Sequence, residues 1–203
     1  MPTEKEKMIA GQCYMAADAE LREMRTFARQ QMKKFNEELD GQARSEQLKN
    51  WFGATGERIY MEPNFYCDYG SNIHVGEDFY ANFNCTMLDV CPIRIGKNAM
   101  LGPNVQLLTP LHPLDPDERN SGLEYGAPIT IGDNFWAGGG AIILPGVTLG
   151  DNVVVGAGAV VTKSFGDNVV LAGNPARVIK EIPQKLRGQR HFSEFLSTSQ
   201  RSG

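Results

Sequence analysis

Apolar residues follow two different rhythms along this chain, and the change falls near residue 57. Over residues 1–57 they recur at spacings of three and four, the period of an amphipathic helix. Thr3-x-x-Glu6 has the form of a capping box ahead of Met8 and Ile9. Asp18 is placed to cap a second helix, in which Leu21, Met24, Ala28, Met32, Phe35 and Leu39 share one face. Asp40-Gly41 is expected to end it. A short third helix is predicted through Leu48, Trp51 and Phe52, and Gly53 and Gly56 close the section.

From residue 58 the helical period gives way to a period of six. Its lead residues are Val75, Ile95, Leu101, Ile131, Ala137, Leu149 and Val155, each followed by glycine, with Ile143 and Val161 filling the remaining slots. Four positions after the leads come Ala99, Val105, Phe135, Ala141, Val147, Val153, Ala159 and Phe165. A fixed short repeat means a solenoid whose coils bury their inner faces against each other. Three six-residue sides close a triangular coil of 18 residues. Glycine and asparagine after the leads suit corners that need positive φ or close backbone approach. The predicted fold is mainly β: a three-sided parallel β-helix over 58–182, behind a helical segment at 1–57. The pattern leaves 183–203 as a tail, a loose helix or a disordered end. The period does not specify handedness.

One stretch breaks the phase. The expected leads at 113, 119 and 125 are Pro113, Arg119 and Tyr125, which cannot line a dry interior. Residues 108–128 should therefore leave the coil as a loop, and a loop of that length in a compact domain is usually functional. It carries His112 and Glu124. Histidine suits a general base near neutral pH. Of the other two histidines, His74 precedes a lead residue and points outward, and His191 lies in the tail.

Composition narrows the class. The net charge of −4 gives no general attraction for nucleic acid or anionic membrane. With 41% hydrophobic and 22% charged residues, disorder is not the main state. No apolar window is long enough to span a membrane. The charged start Met1-Pro2-Thr3-Glu4-Lys5 is unlike a signal peptide, so a cytoplasmic location is expected. No C-x-x-C occurs among the four cysteines. Cys67 and Cys85, 18 residues apart, are expected to stack inward on adjacent coils as free thiols, with Cys91 in the same slot.

Several segments carry a specific resemblance. They are Glu4 to Gly11, Tyr69-Gly70-Ser71-Asn72-Ile73, Phe79-Tyr80-Ala81-Asn82-Phe83-Asn84, Met87 to Gly96, His112-Pro113 and Gly173-Asn174-Pro175-Ala176-Arg177-Val178-Ile179. In order and spacing the chain up to about residue 182 resembles the maltose and galactoside O-acetyltransferases, within the left-handed β-helix acyltransferases. The resemblance implies a left-handed coil, acetyl-CoA as co-substrate without a metal, a small sugar acceptor, and a homotrimer with sites between subunits. It implies His112 as the base in direct transfer to a primary hydroxyl, the 6-OH of maltose, glucose or a related sugar. Asn82 falls at a site asparagine of the family, although a corner residue tolerant of left-handed φ is the competing reading. Asp18, Asp68, Tyr80, Asp89 and Glu124 fall in or near the acceptor pocket. Asp18 competes with its role as a helix cap, and Glu124 could orient the imidazole or touch substrate. For the donor the resemblance implies Trp136, Gly139, Ala157, Thr162, Lys163, Arg177 and Lys180, with Gly139 N–H facing the thioester oxyanion. The galactoside enzyme has a serine where Gly139 stands, so no hydroxyl contributes here. Two other uses of the fold fit poorly. A carbonic anhydrase would need three histidine ligands, and a structural solenoid would show outward threonine ladders and no excursion. Acetylation of an antibiotic is the nearer alternative.

Overall fold

The structure, a computed structural model, describes residues 1–183. Of the tail predicted over 183–203, residues 184 onward, His191 included, lie outside the described residues.

Three helices open the chain. α1 (Glu4–Ile9) carries the expected capping box: Thr3 accepts from Glu6 N–H, and Glu6 accepts from Thr3 N–H. α2 (Ala19–Glu37) is capped by Asp18 and buries Leu21, Ala28 and Phe35. It stops at Glu37, short of the predicted end, and leaves Leu39 93% exposed. Arg44 explains the stop, because its guanidinium takes the carbonyls of Glu38 and Leu39 at 3.0 and 3.2 Å and turns the chain. Asp40 then caps α3 (Gly41–Trp51) instead of ending α2.

The remainder is a three-sided parallel coil. Face A stacks Ile73–Val75, Ile93–Ile95, Ile129–Ile131 and Thr148–Leu149. Face B stacks Ile59–Met61, Phe79–Ala81, Met100–Leu101, Trp136–Ala137, Val154–Val155 and Val169–Ala172, finished by the antiparallel Arg177–Glu181. Face C stacks Tyr66–Cys67, Thr86–Leu88, Gln106–Leu108, Ile142–Ile143 and Val160–Val161. The predicted lead residues are all buried and form one core with Phe35, Leu48, Trp51 and Phe52, which close the first coil from the helical side.

The corners divide two tasks that the sequence merges. Glycines directly after the leads serve close approach: a Cβ on Gly138 would lie 2.6 Å from the nitrogen of Ala157. Positive φ falls two residues later, at Asn98, Asn104, Asn134, Asn152 and Gly158. Asn82, in the first kind of slot, is not among the positive-φ residues, so the corner explanation for it fails.

The first coils are longer than the expected 18. Tyr60 pairs with Tyr80, Tyr66 with Thr86 and Ile73 with Ile93, 20 residues on. The coils after the excursion keep 18, as in Trp136 with Val154, until the last, which shortens to 16 where Val154 pairs with Val170. The additional residues all sit at the edge between faces C and A, in 68–72 and 88–92. This overturns the cysteine stack. Cys67 lies opposite Met87, Cys85 carbonyl meets Tyr66 N–H, and Cys91 leaves the coil to donate its thiol to the Met8 carbonyl at 3.2 Å. All four cysteines are free thiols.

The excursion is built rather than loose, and it leaves the same edge. Ala127 N–H meets the Thr109 carbonyl at its neck. Pro110–Leu111 pairs antiparallel with Leu123–Gly126, which pairs in turn with Tyr14–Met15 from the helical segment. Between the strands lies α4 (Pro116–Asn120), capped by Asp115.

Candidate active site

The lengthened edge makes a cleft of about 360 Å³ beside the excursion. Corner 68–72 supplies Asp68 and Tyr69, the excursion supplies His112 and Glu124, and the helical segment supplies Tyr14 and Arg25. Arg25 is fixed by two hydrogen bonds, donating to the Ala16 carbonyl at 2.6 Å and the Tyr69 hydroxyl at 2.8 Å. Tyr14 donates to Glu124 Oε2 at 2.9 Å. Burial raises the Asp68 pKa; Arg25 opposes this and Glu124 adds to it. Burial, then the Glu124 carboxylate, push the Tyr14 phenol well up, so its O–H stays a donor.

Asp89 lies beneath this surface rather than on it. It is fully buried and accepts from Asp68 and Tyr69 N–H at 3.0 and 2.8 Å and from Asn72 N–H at 3.2 Å. Burial pushes its carboxyl up to about 7 against the pull of those N–H groups. Its neighbour Val90 lines the cleft in its place. Asp18 is also outside the cleft, since its carboxylate is spent on Glu20 and Leu21 N–H.

Of the other predicted residues, Asn82, Gly139 and Ala157 lie on the edge between faces B and C. Asn82, Gly102, Gly138, Gly156 and Ala172 follow each other up this edge through Asn82 N–H to Leu101 O, Gly102 N–H to Ala137 O, Gly138 N–H to Val155 O and Gly156 N–H to Leu171 O. Gly139 and Ala157 stand beside them, and Trp136 projects from face B at 43% exposure. Arg177 and Lys180, both exposed, lie on the closing strand, while exposed Thr162 and Lys163 lie at the C-terminal end of the C–A edge. Tyr80 stacks on Tyr60 on face B, with centroids 6.2 Å apart, in an open groove beside the Arg58–Asp78 ion pair. A single chain thus holds two half-sites on separate edges of one prism. Among the described residues, no group of three or more His, Cys, Asp or Glu is placed to hold a metal ion. No described helix is long and apolar enough to cross a membrane.

Two family models match. Residues 7–56 fit the maltose acetyltransferase hexapeptide capping motif, and residues 128–163 fit the bacterial transferase hexapeptide. The crystal structure of a maltose O-acetyltransferase from Clostridium difficile 630 is 53% identical, superposes with a TM-score of 0.88, and covers 90% of this chain and 99% of its own. The chain belongs to the maltose and galactoside O-acetyltransferase family. A galactoside acetyltransferase solved in complex with coenzyme A is 43% identical with a TM-score of 0.85, covering 90% and 92% of the two chains. The galactoside O-acetyltransferase of Escherichia coli K12 is 44% identical over 179 residues, 87% of this chain and 88% of its own.

As in the other members of this family, the coil is the left-handed parallel β-helix. The capping motif explains why residues 7–56 matter to the site: their strand Tyr14–Met15 and helix α2 form one wall of the cleft. Arg25, Tyr14, Tyr69 and Val90 were not predicted as site residues. Arg25 follows Met24 on the inward flank of α2, the one signal in the sequence that its charge faces protein.

Proposed function

We propose that the protein is an acetyl-CoA-dependent O-acetyltransferase acting on a primary hydroxyl, the 6-OH of maltose, glucose or a related sugar. The observation that carries this reading is the cleft itself. It sets one imidazole among two carboxylates, a guanidinium and two phenols, a set able to donate to and accept from the hydroxyls of a polyol. The names of its relatives support the same chemistry.

In the proposed reaction His112 takes the proton of the acceptor hydroxyl, and the alkoxide attacks the thioester carbonyl carbon. The tetrahedral oxyanion is met by Gly139 N–H. Its collapse breaks the C–S bond, and the imidazolium returns its proton to the thiolate, giving acetyl ester and free coenzyme A. No acetyl-enzyme forms. Asp68 and Glu124 accept from the sugar hydroxyls beside the base.

The B–C edge suits the donor. From Asn82 to Ala172 it spans four strand intervals, about 19 Å at ~4.8 Å each, a length that fits an extended pantetheine arm. Glycines let the arm approach the backbone, Trp136 offers it an exposed indole, and Arg177 and Lys180 at the closed end meet phosphate; Thr162 and Lys163, at the same end but on the C–A edge, would meet the donor held by a neighbouring subunit. Both edges meet only if chains associate. A homotrimer sets the His112 edge of one subunit against the Asn82 edge of the next. Exposed Tyr66, Phe83, Met100 and Trp136 on and between faces B and C support that packing.

Steady-state kinetics with acetyl-CoA across sugars, an aminoglycoside and chloramphenicol test the acceptor. The reading expects sugars to give the highest kcat/KM, and an antibiotic ahead of every sugar would overturn it. Light scattering should give three times the chain mass, and a fully active monomer would end the shared-site account.

A further inference from the structure

The helical segment touches the cleft through one buried phenol. Tyr14 is 1% exposed, and its hydroxyl donates to Glu124 Oε2 at 2.9 Å. Its backbone is paired with Glu124, and Met15 with Leu123. Met15 N–H is held by Glu4 Oε2 at 2.6 Å, so the seam is tied on both sides. Glu124 Oε1 has no hydrogen-bond partner among the described residues, although Glu124 lines the cleft with His112. A carboxylate with one oxygen fixed by a buried donor has lost its rotational choice. Its second oxygen is then presented in one direction.

We propose that Tyr14 is a positioning residue for acetyl transfer: its hydroxyl locks one oxygen of Glu124 so that the other accepts from an acceptor hydroxyl beside His112. This rests on the acetyltransferase reading above. It also gives the helical segment a part in acceptor recognition beyond closing the first coil.

The test is a double-mutant cycle with Tyr14→Phe and Glu124→Ala, scored by KM for acceptor, KM for acetyl-CoA and kcat. Phenylalanine keeps the ring and removes only the donor. Tyr14→Phe should raise acceptor KM roughly 3- to 10-fold, the loss expected for one interior hydrogen bond, with donor KM unchanged. On the Glu124→Ala background the same change should cost less than about 2-fold, because the acceptor it acts through is gone. Equal shifts in both KM values, a fully additive double variant, or an unchanged acceptor KM would each overturn the proposal. If Tyr14→Phe is too unstable to assay, Glu124→Ala alone decides: an unchanged acceptor KM refutes the role. If the wild type acetylates chloramphenicol but no sugar, the sugar reading falls. The cycle, run with chloramphenicol, then judges Tyr14 by the same numbers.

Discussion

Replacing Asp89 by asparagine should change the stability of this protein in a way that depends on pH. Below pH 3.8 the carboxyl is neutral folded and unfolded, and it contributes no pH dependence. Between 3.8 and the folded value of about 7, the unfolded chain ionises while the native site holds its proton. The unfolded state then binds fewer protons, so stability falls as pH rises through this window and levels off above it. From pH 5 to the folded value is about two units at ~1.4 kcal/mol each, so the wild type should lose about 3 kcal/mol by pH 8. Asparagine removes that loss. It also turns an amide N–H₂ toward the Asn72 N–H that Oδ2 now accepts, at a cost of about 1–3 kcal/mol at any pH. The variant should therefore be the weaker protein at pH 5 and level with the wild type, or ahead of it, at pH 8. Urea unfolding at fixed protomer concentration, followed by tryptophan fluorescence at pH 5, 6, 7 and 8, gives the two curves. A gap that stays constant across pH would refute the account of Asp89 as a buried carboxyl kept neutral by desolvation.

Four other outcomes are expected. His112→Ala should lower kcat by roughly 10²–10⁴ with little change in donor KM or Tm; retention of more than a tenth of kcat would move the base elsewhere in the cleft. Gly138→Ala should destabilise by about 1–3 kcal/mol, since its Cβ meets the Ala157 nitrogen, a backbone atom that cannot swing aside. Gly158→Asn should be nearly neutral, because nothing lies within 4 Å and asparagine already holds this φ at Asn152, and a Tm loss as large as that of Gly138→Ala would contradict the reasoning. A thiol reagent should titrate only Cys13 in the native protein, and all four cysteines in urea.

The coil interior was legible because a period of six repeats one environment many times, and each lead residue reports the same buried slot. The same logic failed where the period slips. Residues 68–72 and 88–92 add two positions per coil, so Cys67 and Cys85 were placed in contact, and Asp89, expected in or near the acceptor pocket, lies buried beneath it. The excursion was visible as a loss of phase. Its strands of two and four residues were not, since they are too short to show a period. His112, Asp68 and Glu124 were found through motif and position and do share a cleft. Arg25 was hidden because a helical face tolerates a charge at its margin, and only the fold shows that Ala16 and Tyr69 receive it.

The seam between the excursion and Tyr14–Met15 has a mechanical consequence. Held at its helical end and pulled from Glu181, a stack of parallel coils peels one turn at a time, each turn of 16 or 18 residues releasing about 55–60 Å of chain. The turns after Ala137 can leave in this way. The turn from Leu101 to Ala137 cannot, because Leu123–Gly126 is clamped to a strand that lies before the first coil. Force arriving there is passed across the intervening coils to the helical segment. The molecule should resist as a short ratchet followed by one block, with its yield point at the element that carries His112.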